Sequence, residues 1–111
     1  MSRRASGLKA WLLQRLSAVY IALYAFYFLF AMLGGAAQSH EAWRAWVGSP
    51  LPALAMVLFF IALTTHAWVG IRDVAVDYAR PLWLRLSLLS MVGVILLGSL
   101  SGAVMALLSV R

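Results

Sequence analysis

The chain has 111 residues, of which 65% are hydrophobic and only 11% are charged, and its mean hydropathy is +0.94. This composition excludes a soluble globular domain, in which about a quarter of the residues are charged. The sequence contains no cysteine, which excludes disulfides, thiolate metal sites and iron–sulfur clusters carried by this chain. The net charge of +6 comes from basic residues that flank apolar runs, so we expect no nucleic-acid partner.

The first apolar element follows a short basic lead. Residues 16–33 carry no charge, and four small residues follow at 34–37. A signal peptide would share this pattern, but its apolar core is only about 7 to 15 residues long, so we predict an uncleaved helix over about 15–36. The hydroxyl groups of this helix recur at helical spacing and so share one face, which comprises Ser17, Tyr20, Tyr24 and Tyr27. Because lipid offers a hydroxyl no hydrogen-bond partner, we expect this face to contact protein.

Two further membrane helices follow a short connection. Residues 38–49 predict an external connection that can hold a helical turn in the headgroup region, and Pro50 suits the first turn of the next helix. We predict the second helix over about 50–72 and the third over about 82–109. Residues 1–111 then form a single all-α integral membrane domain with three transmembrane helices.

The basic residues predict how the helices are oriented. Seven of them lie either before the first apolar run or around the connection between the second and third helices, namely Arg3, Arg4, Lys9, Arg15, Arg72, Arg80 and Arg85. Only Arg44 and Arg111 fall on the other side. Since positive charge concentrates in cytoplasmic loops, we expect the N-terminus to be cytoplasmic and the C-terminus periplasmic.

One histidine lies inside a predicted span. His66 stands six residues before Arg72, which is about 9 Å along a helix, so its ring lies within the hydrocarbon. An imidazole at this depth either forms hydrogen bonds between helices or binds a metal, and residue type alone leaves both interpretations open. Haem iron is the natural metal for a neutral imidazole. Because His40 lies on the opposite side of the membrane, a second histidine ligand would have to come from another chain.

Three more residues could carry chemistry beside His66. Arg15, at the mouth of the first helix, either anchors the helix in the headgroups or pairs with a haem propionate. Tyr78 lies in a charged segment just beyond the expected end of the second helix, where its phenol could donate a hydrogen bond to a quinone carbonyl. Asp77 could relay protons there. Residue type alone favours the anchoring role for Arg15 and for the Asp77–Tyr78 pair.

A short constellation of these residues resembles a known family. The elements are His66-Ala67-Trp68 with Gly70-Ile71, then Asp77-Tyr78 with Pro81, and Arg15 followed by Ser17-Ala18. Together with the three-helix layout they resemble the small hydrophobic anchor subunit, of the cytochrome b556 type, of bacterial succinate dehydrogenase, which is respiratory complex II. The His-x(11)-Tyr element preceded by aspartate is its most specific part.

The resemblance implies a function for each of these side chains. His66 would be one axial ligand of a b-type haem shared with a second anchor subunit, and Arg15 would approach a propionate. Tyr78 would hydrogen-bond ubiquinone, and Asp77 would border the quinone site. The chain would anchor a flavoprotein subunit with FAD and an iron–sulfur subunit in the bacterial inner membrane, and succinate would be oxidised on those subunits.

Two other classes of function are compatible with a small membrane protein. A transporter usually places charged residues inside its spans, whereas the apolar runs here contain none between their flanking arginines. A structural or assembly protein would not need His66 at all. Haem content after replacement of His66 therefore distinguishes that class from the anchor subunit.

Overall fold

The computed structural model describes residues 3–110, and over this range the chain is built only from helices and short turns. The helices are α1 (Arg3–Leu33), α2 (His40–Gly48), α3 (Pro50–Tyr78) and α4 (Leu82–Ser109). Three segments are long and apolar enough to cross a membrane, namely Gly7–Leu33, Pro50–Tyr78 and Leu82–Ser109. The prediction of an all-helical protein with three membrane-spanning helices is confirmed.

The helices extend beyond the apolar runs at the charged ends. Helix α1 begins at Arg3 and not near residue 15, and α3 continues past Arg72 to Tyr78. A charged residue marks where the hydrocarbon ends, but arginine is a good helix former and does not stop a helix. Pro81 does, because proline disfavours helical geometry in the residue before it. Asp77 and Tyr78 therefore form the last turn of α3, and their expected position beyond the helix was wrong.

Helix α1 ends at Leu33 because two glycines follow it. Gly35 adopts φ +102°, a left-handed conformation that side chains with a Cβ rarely adopt. The Ala36 N–H donates to the Ala31 carbonyl over 3.0 Å, and the Gly35 N–H donates to the Met32 carbonyl over 3.2 Å. This pair of bonds is the Schellman arrangement, which satisfies carbonyls left free at a helix end.

Helix α2 is a short helix in the predicted external connection. Its N-cap is Ser39, whose hydroxyl accepts a hydrogen bond from the Ala42 N–H over 3.0 Å. Val47 of α2 is buried in an aromatic cluster with Tyr24 and Met56. The connection between the first two membrane-spanning helices is thus a helix that closes one end of the bundle.

Helix α3 is the central element and packs against α1, α2 and α4. The hydroxyl face of α1 meets α3 as expected: the Tyr20 hydroxyl donates to the Ala55 carbonyl over 2.7 Å, and the Tyr24 ring stacks on Phe59 at 4.5 Å. Helix α4 has no buried residue in its membrane-spanning window. Most of its apolar surface is therefore free to contact lipid or another subunit.

The antiparallel packing of α1 and α3 gives the bundle two chemically different ends. One end combines the start of α1, the end of α3 and the start of α4, and it contains Arg15, Arg72 and Arg85; we call it the charged end. Arg85 there donates hydrogen bonds to the carbonyls of Ala79 and Val76, each over 3.3 Å. The opposite end holds α2, and Gly48 lies close to the carbonyl of Val110 there.

Candidate functional site

The candidate site is centred on His66, which α3 holds against α1. Both nitrogens of its ring contact polar side chains of α1: the Ser17 Oγ lies 3.1 Å from Nδ1, and the Gln14 Nε2 lies 3.4 Å from Nε2. Gln14 and Ser17 are one helical turn apart, so both reach the same ring. The ring is half-buried, and Ser17 is buried with 8% of its surface exposed. His66 is thus held by α1 from two directions.

A groove of about 470 Å³ opens beside the His66 ring at the charged end. This volume lies within the usual range for small-molecule and cofactor sites, about 300–1,000 Å³. Gly7, Ala10 and Ala18 form part of its wall, and their small size leaves room for a flat group. Arg15, His66 and Arg72 also line the groove. The groove therefore brings an imidazole, two guanidinium groups and the Asp73 carboxylate around one space.

Arg15 lines this groove together with His66. Its guanidinium carbon is 5.5 Å from the centre of the Trp11 ring, a cation–π distance. Arg72 also lines the groove, and it contacts the adjacent Asp73 at 3.3 Å through side chains that are 41% and 59% exposed. An exposed pair of this kind contributes little stability, about 0–1 kcal/mol. Because this pair is weak, the Arg72 guanidinium can exchange Asp73 for another carboxylate in the groove.

The residues present fit a haem group. A neutral imidazole is the usual axial ligand of haem iron, and a guanidinium matches a propionate carboxylate. The buried Oε1 atom of Gln14 has no hydrogen-bond partner among the described residues, as expected of a polar group beside a ligand site. No three His, Cys, Asp or Glu side chains in that part of the chain lie together as a metal site of their own. His40 lies beside Val110 at the opposite end of the bundle.

Asp77 and Tyr78 lie apart from this groove. Both are exposed on the last turn of α3, and Tyr78 has 81% of its surface accessible. Twelve residues of helix separate Tyr78 from His66, which is about 18 Å at 1.5 Å per residue. The structure therefore brings Arg15 and His66 together and leaves Asp77 and Tyr78 on a separate, open surface.

Sequence reasoning missed Gln14, Trp11 and Arg72 as members of the site. A signal for the α1 residues was present, because Gly7, Trp11, Gln14 and Ala18 follow the spacing of a single helix face. That face was not considered, since the helix was expected to begin only at residue 15. Arg72 was interpreted as the end of α3, whereas the helix continues and turns its side chain toward the groove.

Comparison with known proteins shows the family to which the chain belongs. The family described as succinate dehydrogenase/fumarate reductase transmembrane subunit matches residues 1–102. A hydrophobic membrane anchor subunit of succinate dehydrogenase from Coxiella burnetii (strain RSA 493 / Nine Mile phase I) is 27% identical over 97 residues, covering 87% of this chain and 83% of that protein. The match includes the helices that carry Arg15, His66 and Tyr78. The chain belongs to the succinate dehydrogenase/fumarate reductase transmembrane subunit family.

Proposed function

We propose that this chain is a membrane anchor subunit of a bacterial succinate:quinone oxidoreductase that shares a b-type haem with a second anchor subunit. The observation that carries the proposal is the placement of His66 and Arg15 in one groove at the charged end. An ionisable side chain within a membrane span is expensive and usually functional. The chain's family, the succinate dehydrogenase/fumarate reductase transmembrane subunits, supports the proposal that the site belongs to such a complex.

His66 and Arg15 have separate functions in this proposal. The His66 imidazole would provide one ligand to the haem iron, and the other anchor subunit would provide the second. Arg15 would pair with a propionate, and Arg72, which lines the same groove, would add a second positive charge. The haem, when bound, would supply a one-electron redox centre.

Tyr78 and Asp77 form this chain's part of the ubiquinone site. The phenol of Tyr78 donates a hydrogen bond to a quinone carbonyl, and Asp77 borders the site, where quinone reduction consumes protons. Both residues are exposed, which leaves them free to contact the iron–sulfur subunit. FAD and the iron–sulfur clusters are carried by the flavoprotein and iron–sulfur subunits, and succinate is oxidised there.

The orientation follows from the distribution of positive charge. The charged end holds seven of the nine lysines and arginines of the sequence, and positive charge concentrates on the cytoplasmic side. The N-terminus and the Tyr78 surface therefore face the cytoplasm, and α2 and the C-terminus face the periplasm. In this orientation the soluble subunits bind at the charged end, beside both His66 and Tyr78.

The experiment that tests this function is a reduced-minus-oxidised visible spectrum of the purified complex. His66→Ala should abolish or strongly perturb the b-type band at matched levels of the subunit. Thr64→Val is the control, because the Thr64 hydroxyl donates only to the Phe60 carbonyl of its own helix, over 2.7 Å. An unchanged band in His66→Ala would detach the haem from this chain and favour a structural or assembly function.

A further inference from the structure

We propose that Ser17 is a positioning residue that holds the His66 imidazole in the tautomer with its proton on Nδ1. This inference rests on the haem site of the proposed function. Ser17 is buried against the ring, whereas Gln14 lines the groove on the other side of it. Nδ1 therefore points toward the interior of the α1–α3 contact, and Nε2 points toward the groove.

The direction of the Ser17 hydrogen bonds selects the tautomer. A hydroxyl has one proton to donate, and the Ser17 Oγ lies 3.1 Å from the backbone carbonyl oxygen of Gln14, which can only accept. The Ser17 proton is used in that bond. The second contact of the same oxygen, 3.1 Å to His66 Nδ1, is then one in which Ser17 accepts from an N–H of the ring.

The opposite side of the ring agrees with this assignment. A neutral imidazole carries one N–H, so a proton on Nδ1 leaves a lone pair on Nε2. The Gln14 amide nitrogen, which can only donate, lies 3.4 Å from Nε2, which is longer than a usual hydrogen bond and leaves that lone pair open to a ligand in the groove. A proton on Nε2 would instead place two donors against each other. The contacts at both nitrogens thus point to the same tautomer.

This tautomer presents to the groove the atom that a metal requires. Metal-bound histidines almost always donate their other ring N–H to a neighbouring group, which fixes the ring orientation and raises the basicity of the ligating nitrogen. Loss of such a partner typically lowers metal affinity by about 10- to 100-fold. Ser17 supplies the partner from a different helix, so it couples the packing of α1 on α3 to the state of the His66 ring.

The test compares Ser17→Ala with Ser17→Thr in the assembled complex, measuring the midpoint potential of the haem and its rate of loss to a haem-scavenging protein. Ser17→Ala should weaken haem retention by about 10- to 100-fold and shift the midpoint potential. Ser17→Thr keeps a hydroxyl and should restore both quantities. Thr64→Val, which removes a hydroxyl that does not contact His66, should leave both unchanged.

Two results would overturn the function assigned to Ser17. One is wild-type haem retention and midpoint potential in Ser17→Ala. The other is a loss of haem retention in Ser17→Thr as large as that in Ser17→Ala. If Ser17→Ala does not assemble, Ser17→Cys replaces it, since a thiol is a weak acceptor, and wild-type retention there would overturn the inference. His66→Ala separates the two proposals. If His66→Ala loses haem while Ser17→Ala keeps wild-type haem retention and midpoint potential, only the function of Ser17 is refuted. If His66→Ala retains its haem, the haem site itself is refuted.

Discussion

The same chemical change at two neighbouring tyrosines of α1 should alter stability in opposite directions. Tyr20→Phe removes a hydrogen bond of 2.7 Å from the phenol to the Ala55 carbonyl, a bond that joins α1 to α3. Interhelical hydrogen bonds in membrane proteins are worth about 0.6 kcal/mol on average and up to about 1.7 kcal/mol. Because this bond is short, Tyr20→Phe should lower the unfolding free energy by about 1 kcal/mol.

Tyr24→Phe should have the reverse effect. The Tyr24 hydroxyl is buried and has no hydrogen-bond partner among the described residues, while its ring stacks on Phe59. A buried polar group left without a partner costs about 1–3 kcal/mol, and phenylalanine keeps the ring without that cost. Tyr24→Phe should therefore raise the unfolding free energy by about 1 kcal/mol, so the two variants should differ by about 2 kcal/mol.

The assay is equilibrium unfolding of the purified full-length chain in detergent micelles, followed by circular dichroism. Each variant is the control for the other, because both lose one oxygen from the same helix. If Tyr24→Phe is destabilised as much as Tyr20→Phe, its hydroxyl has a partner in the folded protein, and the hydrogen-bond assignment in the α1–α3 contact is wrong.

Two further predictions concern the proposed quinone site at Tyr78 and the end of α1. Tyr78→Phe should strongly lower quinone reduction and leave succinate oxidation by a soluble dye nearly unchanged, since the dye does not need the quinone site; equal loss in both assays would assign Tyr78 to assembly. Gly35→Ala should destabilise the chain by about 1–2 kcal/mol in the same unfolding assay, because φ is +102° there and the new Cβ would lie 3.2 Å from the Gln38 side chain. Unchanged stability in Gly35→Ala would mean that α1 does not end in this turn.

The number of spans and the central histidine could be predicted because both depend on hydropathy alone. Long apolar runs can only form helices in lipid, and His66 is conspicuous as an ionisable residue within one of them. Helix ends were harder to predict. Arg72 marks the end of the apolar run, but the backbone continues as a helix until the constraint of Pro81, so the hydrocarbon boundary and the helix boundary differ.

The neighbours of His66 could not be predicted in the same way. Gln14 and Ser17 are ordinary polar residues, and they acquire a function only through the register in which α1 packs on α3. That register places Ser17 at His66 and Tyr20 at Ala55, two contacts that join residues far apart in the sequence. The side chain of Tyr78 is exposed, so this chain alone does not define its surroundings.

The contact of Arg85 with the end of α3 has a consequence for how partners bind. A helix end outside the hydrocarbon tends to fray, because its last carbonyls have no partner within the helix. Arg85 of α4 donates hydrogen bonds to the carbonyls of Val76 and Ala79, on either side of Tyr78. Its positive charge also stabilises the negative end of the α3 dipole. A subunit or a quinone that binds at Tyr78, as proposed, would meet a preorganised turn, and little conformational entropy would be lost when the Tyr78 backbone becomes part of an interface.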